Sequence, residues 1–409
     1  MTPSWAEMGR VFGRIGLLSF GGPAAQIALM HRELVETRDW LEEETFLRGL
    51  GFCTLLPGPE AMQLATFAGW RLRGTAGGLL AGLLFVIPGA LCIMALSALY
   101  LAYGRLPLVE AAFLGIKAAT LAIVAGALWK LRAKALRGPL PIAVALAAFV
   151  ALFFLALPFW AVLLAALVLG AAVPEGRHVA VPAAPPARTG QTVVLWLIIW
   201  WAPLLTLIAF APRSAPAEAG LFFSWLATVS FGGAYAVLAA LAQTAVETQG
   251  WLTPDQMVDG LGLAETTPGP LILVTVFTAW LGGAQVGTGT AIATAVVTLW
   301  ATFVPCFLWI FAGAPHLERL TAMPRLRGAL AMVSAAVAGV IANLSLWFAV
   351  HVLFARVTDS RPPVPDWSSL DPVALALAVL AAVWLLVLRR GVLETLALAA
   401  LGGAGVALF

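Results

Sequence analysis

Charge is what this sequence has least of. Only 11% of its 409 residues are charged and 62% are hydrophobic, whereas soluble domains carry roughly 25% charged residues. A water-soluble globular fold is therefore excluded, and the formal net charge of +3 offers no surface for nucleic acid. Cysteine is sparse as well. Cys53, Cys92 and Cys306 each lie in an apolar stretch, without the paired spacing of a zinc site or a disulfide framework, and read as small core residues. The four histidines, His31, His178, His316 and His351, stand near segment ends or in a linker, which argues against a buried metal centre. Also lacking are a His-Glu-x-x-His pair, a phosphate-binding Gly-x-x-x-x-Gly-Lys loop and clustered acidic pairs for metals. A membrane-embedded enzyme is thus the weaker reading, and no cofactor is implied. The first apolar stretch is interrupted by Glu7, Arg10, Arg14 and Gly-Gly-Pro and shows no clean cleavage site, so it is read as retained rather than as a signal peptide.

What is abundant is apolar sequence in lengths that suit a bilayer, which needs about 20 residues per helical span. Segments fall at 9–35, 44–72, 76–103, 107–132, 139–156, 158–173, 192–211, 220–246, 255–283, 287–313, 323–354, 372–388 and 392–409. Sliding the chain by 211 positions without a gap aligns Ser19-Phe20-Gly21-Gly22 with Ser230-Phe231-Gly232-Gly233. The same shift aligns Trp40-Leu41 with Trp251-Leu252 and Pro57-Gly58-Pro59 with Pro268-Gly269-Pro270. Such self-similarity marks a duplication. The expected organisation is a first transmembrane repeat at 1–173, a linker and connecting helix at 174–215, and a second repeat at 216–409. The 139–173 stretch reads as two short spans or a re-entrant pair.

Corresponding points of the repeats are seven segments apart, an odd number, so the second repeat is expected to run inverted through the membrane. Cytoplasmic connections carry the excess of Lys and Arg. With the N-terminus inside, fifteen basic residues fall on the inner side and seven on the outer, the latter including Arg32, Arg38 and Arg48, while Lys117 stays within a segment. The expectation is a multi-pass inner-membrane protein, N-terminus inside and C-terminus outside.

Two segments of each repeat are interrupted at mid-depth: at Gly21-Gly22-Pro23 and Gly232-Gly233, and at Pro57-Gly58-Pro59 and Pro268-Gly269-Pro270. Proline removes an amide donor and glycine admits non-helical dihedrals. Unwound backbone at that depth persists only where protein or a wet cavity surrounds it, and matched breaks in inverted repeats point to a transporter's binding site. The alternative is ordinary kinks and close packing, which is how Gly78 to Gly82 and Gly283 to Gly287 are read.

Helices starting at Pro59 and Pro270 would present free amides and roughly half a positive charge each, a ready anion site. The candidate binding residues are Ser19, Gly21, Gly22, Gly58, Gln63, Ser230, Gly232, Gly233, Thr266, Thr267 and Gly269, with Thr66 beside them and Lys117 as the cation. Two half-charges plus one lysine suit a divalent oxyanion. Lys117 at mid-segment needs an anionic partner: substrate, or an acid such as Glu60 or Glu265. Those two glutamates are candidate proton carriers, with dipole complementation the plainer role for Glu60. Arg14 is a candidate anion funnel, or else an interface arginine like Arg10.

The Ser-Phe-Gly-Gly-Pro helix, the Trp-Leu connector and the Leu-Pro-Gly-Pro followed by Gln63, with a weaker second copy at Thr-Pro-Gly-Pro, resemble the chromate ion transporter family in its long, two-domain form. The resemblance covers essentially the whole chain. It implies chromate export across the cytoplasmic membrane, with sulfate as competing anion and the proton-motive force as energy source. Sulfate or another tetrahedral oxyanion is the alternative substrate, a passive anion channel is a third reading, and a homodimer is left open. The second copy departs at Gly233-Ala234-Tyr235, where the first has Gly22-Pro23-Ala24, and at Glu265, which has no acidic counterpart.

Overall fold

A computed structural model of the chain describes residues 3–174, 188–231, 234–358, 360 and 362–407. The fold is all-α. Its elements are α1 (Trp5–Leu18), α2 (Gly22–His31), α3 (Glu43–Cys53), α4 (Glu60–Tyr103), α5 (Pro107–Ala135), α6 (Pro139–Phe153), α7 (Phe159–Ala172), α8 (Thr189–Phe210) and α9 (Ala215–Val229). They continue with α10 (Ala234–Leu241), α11 (Pro254–Thr266), α12 (Val274–Ala284), α13 (Thr288–Gly313), α14 (Leu317–Thr321), α15 (Pro324–Leu353), α16 (Pro372–Ala382) and α17 (Val392–Val406). Five described helical stretches are long and apolar enough to cross a membrane: Glu60–Tyr103, Pro107–Ala133, Thr189–Phe210, Thr288–Thr321 and Pro324–Leu353.

Each predicted segment contains a helix, and the breaks fall where Gly and Pro place them. α1 starts in a capping box: Ser4 Oγ accepts the Glu7 amide and Glu7 Oε2 accepts the Ser4 amide at 2.8 Å, which satisfies donors that a helix start leaves open. It stops at Ser19, and Gly21 and Gly22 turn the chain with φ of 81° and 79°. α4 is interrupted at Arg73 and Gly74, the latter at φ 62°, so a 60–72 arm and a 75–103 arm meet there.

The direction of the broken segments differs from the expectation of continuous spans. Arg14 and Glu33 form an ion pair at 3.9 Å, yet nineteen residues of straight helix would part them by about 28 Å. α1 and α2 therefore fold back on each other. Likewise Gly49 on α3 abuts the Phe67 ring on the 60–72 arm, so these two also form a hairpin, with Pro57-Gly58-Pro59 at its tip. Hydropathy records how apolar a stretch is and is blind to its reversal. As a result the 36–43 connector lies on the same side as the N-terminus rather than opposite it. Two further contacts agree: Arg73 Nε donates to the Pro3 carbonyl at 2.6 Å, and Arg48, expected outside, pairs at 3.2 Å with Glu318, next to the inner-side Arg319.

The helices cluster into two compact units that interleave both repeats: Met1–Ala95, Val173–Ala234 and Thr267–Gly328 in one, and Leu96–Ala172, Tyr235–Thr266 and Ala329–Phe409 in the other. In the first, α1 lies against the 75–103 arm so closely that a Cβ on Gly16 would sit 2.0 Å from the Leu84 carbonyl oxygen. Gly78 and Gly82 seat Phe311 and Phe307 of α13, and Gly283 seats Thr294, the packing role expected of them, whereas Gly287, read with them, has open space where a Cβ would stand. In the second, α5 and α17 touch through glycines on both sides, Gly115 on the Ala399 carbonyl and Gly403 on the Ala111 carbonyl. α6 and α7, with 15 and 14 residues, are each about 22 Å long, short of the roughly 30 Å hydrocarbon core.

Candidate functional site

The first unit brings the two kinds of break together, one from each repeat. The amide of Gly269 donates to the carbonyl of Ser19 at 2.9 Å, and the amide of Gly58 donates to the carbonyl of Ser230 at 3.0 Å. Under the 211-residue shift these are the same bond made twice with the partners exchanged, as a two-fold relation demands, where i meets j and j meets i. Both serine hydroxyls turn back into their own helix, Ser19 Oγ to the Ile15 carbonyl four residues earlier at 2.5 Å and Ser230 Oγ to the Ala227 carbonyl three residues earlier at 3.2 Å. Both serines are buried, at 0% and 1% exposure.

Two glutamines fasten this junction. Gln26 Nε2 donates to the Gly269 carbonyl at 2.6 Å and the Ser19 carbonyl at 3.2 Å, so it holds both ends of one exchanged bond. Gln63 Nε2 donates to the Pro57 carbonyl at 2.7 Å. Each glutamine is fully buried, and its Oε1 has no hydrogen-bond partner among the described residues. Gly58 at φ 115° and Gly269 at φ 88° occupy dihedrals that a side chain resists. Space forbids one as well: a Cβ on Gly58 would stand 2.9 Å from Gln63 Nε2 and 3.0 Å from Cys306 Sγ, and one on Gly269 would stand 3.2 Å from Leu273 Cδ1.

Each Pro-Gly-Pro also rests on the third helix of the opposite repeat, close to a proline in that helix. Gly58 meets Cys306, which follows Pro305 in α13. The Pro268 carbonyl meets Gly89, which follows Pro88 in α4, at 2.1 Å from the position of an added Cβ. The pair Pro88 and Pro305 is separated by 217 positions rather than 211, which hides it from an ungapped comparison. Gln26 escapes for another reason: its counterpart under the shift is Val237, so no repeat signal marks it.

The remaining candidates divide. Pro23 sits in the first turn of α2, and Glu60 opens α4 directly after Pro59. After Pro270 the chain makes a 3-10 turn, Leu271–Leu273, before α12, so the expected second helix start is displaced by three residues. Thr66 and Thr266 return their hydroxyls to the Met62 and Leu263 carbonyls, and Thr267 and Glu265 are buried. Gly232 and Gly233 lie outside the described residues. Arg14, 58% exposed, is engaged by Glu33, which Arg38 also holds. Lys117 belongs to the second unit, and its acidic partner is Asp255, at 3.0 Å, rather than Glu60 or Glu265. Among the described residues no group of three His, Cys, Asp or Glu side chains could hold a metal ion.

A family model described as "Chromate transporter" matches residues 6–171 and 217–407. The chain belongs to the chromate transporter family. It is a multi-pass membrane transporter, not an enzyme. Among the family's named members, a chromate transport protein of Pseudomonas aeruginosa is 33% identical over 376 residues, covering 88% of this chain and 83% of the relative. One from Cupriavidus metallidurans is 31% identical over 350 residues, covering 81% and 79%. A probable chromate transport protein of Synechococcus elongatus is 30% identical over 359 residues, covering 83% of each. No solved structure matches the chain.

Proposed function

We propose that the chain exports chromate, a divalent tetrahedral oxyanion, across the cytoplasmic membrane, driven by the proton-motive force or by exchange for another anion. Sulfate, of like shape and charge, is the alternative cargo. The observation that carries this reading is the exchanged pair of bonds between Gly58 and Ser230 and between Gly269 and Ser19, made by a chain whose relatives are named for chromate transport.

In the described arrangement both glycine amides are spent on serine carbonyls, so the junction is closed. Separating the tips of one pair releases an amide that points inward at a proline-fixed turn. Replacing a neutral carbonyl by a charged oxyanion strengthens such a bond about twofold. Substrate thus competes with the serine carbonyl for the same donor, and the duplication supplies two such donors, Gly58 and Gly269. Ser19, Ser230, Gly21, Gly22, Gln63 and Thr267 would line the opened junction, and Thr266 remains a candidate to test beside them. Glu60 and Glu265 remain carriers to test for proton coupling, and Lys117 a charge to test for anion attraction.

The inverted relation of repeats 1–173 and 216–409, joined through 174–215, is supported by parity. Between Trp5 and its counterpart Pro216 stand three long crossings, the 75–103 arm, α5 and α8, plus the α6 and α7 pair, which adds none or two. The number is odd either way. With the basic excess inside, the N-terminus is cytoplasmic.

Labelled chromate flux in vesicles of known orientation, with sulfate competition, tests the function. Saturable chromate movement suppressed by sulfate is expected. Sulfate movement without chromate movement would transfer the assignment to sulfate. Cysteine at position 42, expected to label from the side of the N-terminus, tests the threading.

A further inference from the structure

α11 carries Asp255 and Asp259 one turn apart on the same face, and the second unit surrounds them with a single lysine. Lys117 Nζ, on α5, donates to Asp255 Oδ1 at 3.0 Å. Tyr100, near the end of α4, donates its hydroxyl to Asp259 Oδ2 at 2.7 Å. The two acids differ in surroundings: the Asp255 side chain is 67% exposed, whereas Asp259 is 6% exposed. Asp259 Oδ1 is buried and meets no hydrogen-bond partner among the described residues.

The groups within electrostatic reach of Asp259 are Lys117 and Glu110 from α5, Asp255 from α11 itself and Tyr100 from α4. His351, on α15, senses Asp255. The other elements packed on α11 add little: α17 holds one ionisable residue, Glu394, in its first turn, and the 242–248 segment offers Glu247, whose side chain is outside the described set. One lysine thus serves two aspartates, and Asp255 has it. An ionised Asp259 would be a buried carboxylate whose neighbouring cation is already engaged by Asp255, with Glu110 adding further negative charge and Oδ1 facing no donor among the described residues, an arrangement that low dielectric penalises heavily. A proton on Oδ1 removes that charge, while Tyr100 still holds Oδ2.

We infer that Asp259 is the proton-carrying group of the transport cycle, taking a proton from water on Oδ1 and returning it to water, with Lys117 shifting between Asp255 and the ionised Asp259 as the proton leaves. The inference rests on the transport reading above and adds to it the residue that couples ion to substrate. Asp259 lies on α11, which ends at Thr266, two residues ahead of Pro268-Gly269-Pro270 along the chain.

The test uses the full chain in proteoliposomes. For each proton coupled, chromate accumulation changes about tenfold per unit of imposed pH gradient. Wild type is expected to follow that gradient. Asp259→Asn is expected to keep chromate-for-chromate exchange and to lose the gradient response, while Asp259→Glu retains it with a displaced pH profile. A gradient response surviving in Asp259→Asn, or an uncoupled wild type that still moves chromate, overturns the inference and leaves the chromate reading standing. Infrared titration of the buried carboxylic acid needs no substrate and covers the case of a variant that folds poorly. An acid band in wild type, shifted in Asp259→Glu and displaced in midpoint by Tyr100→Phe, supports the site even if chromate proves not to be the cargo. A wild type without such a titrating band overturns it.

Discussion

The helix ahead of each Pro-Gly-Pro carries an ionisable pair at the same register. In α3 the pair is Glu44 and Arg48; in α11, 211 residues on, it is Asp255 and Asp259. The first pair neutralises itself. Arg48 Nη2 meets Glu44 at 2.5 Å and Nη1 reaches Glu318, with the side chains 54%, 72% and 58% exposed. The second pair has one sign only, and its inner member is buried. At equivalent positions of two copies, one helix thus shows a surface arginine and the other a buried carboxyl.

The sharpest way to break this contrast is to exchange the two residues. Asp259→Arg buries a cation beside Lys117 and strips Tyr100 of its acceptor, a loss on the order of 3 to 5 kcal/mol for an uncompensated buried charge. Arg48→Asp, made at the exposed counterpart, should cost about 1 kcal/mol or less. Thermal unfolding in detergent reads both. Equal melting of the two variants would mean the helices are not differently buried.

Next in size are the glycines. Gly58→Ala and Gly269→Ala both force a side chain into positive φ, worth about 1 to 3 kcal/mol. Gly58→Ala should be the more damaging, because its Cβ would stand 2.9 Å from Gln63 Nε2 and 3.0 Å from Cys306 Sγ, where that of Gly269 comes no nearer than 3.2 Å, to the movable end of Leu273. Chromate flux should fall in the same order. Gln26→Leu follows, with an expected loss of about 1 to 3 kcal/mol because two buried carbonyls lose a donor. Gln63→Leu, which frees only the Pro57 carbonyl, should cost less. A reversed order in either comparison would show that the junction is held elsewhere.

These residues also mark how far sequence alone carries. The breaks at Gly21-Gly22 and Pro57-Gly58-Pro59 are readable, because backbone rules act on the residues themselves and the repeat displays them twice. Their meeting is implied by symmetry but not their partners: nothing in Ser19 announces a bond to Gly269. The fold-back of α1 on α2 is invisible, since a hairpin and a straight span share one hydropathy profile, and only contacts such as Arg14 with Glu33 separate them. Pro88 and Pro305 are lost to a six-residue slip in register. Asp259 stands in the polar opening of the 255–283 segment, where an acid reads as solvated until the Tyr100 hydroxyl is seen on it. Lys117 is readable as an anomaly, though its partner is not.

The smallest effect separates the two exposed ion pairs. Lys117 with Asp255 and Arg48 with Glu44 each join a charge to an acid that is more than half exposed, where solvent screening holds the coupling to about 0 to 1 kcal/mol. Double-mutant cycles to Ala should find both within that range, with the Lys117 pair somewhat stronger because its lysine is 16% exposed against 54% for Arg48. The functional readout should divide them far more clearly. Removing Arg48 should leave the pH profile of chromate flux where it was, whereas removing Lys117 takes away the cation that, among the described residues, stands within reach of the buried Asp259 and should displace that profile. A Lys117→Ala variant with weak coupling to Asp255 and an unmoved pH profile would reduce the second pair to what the first already is, a solvated surface contact.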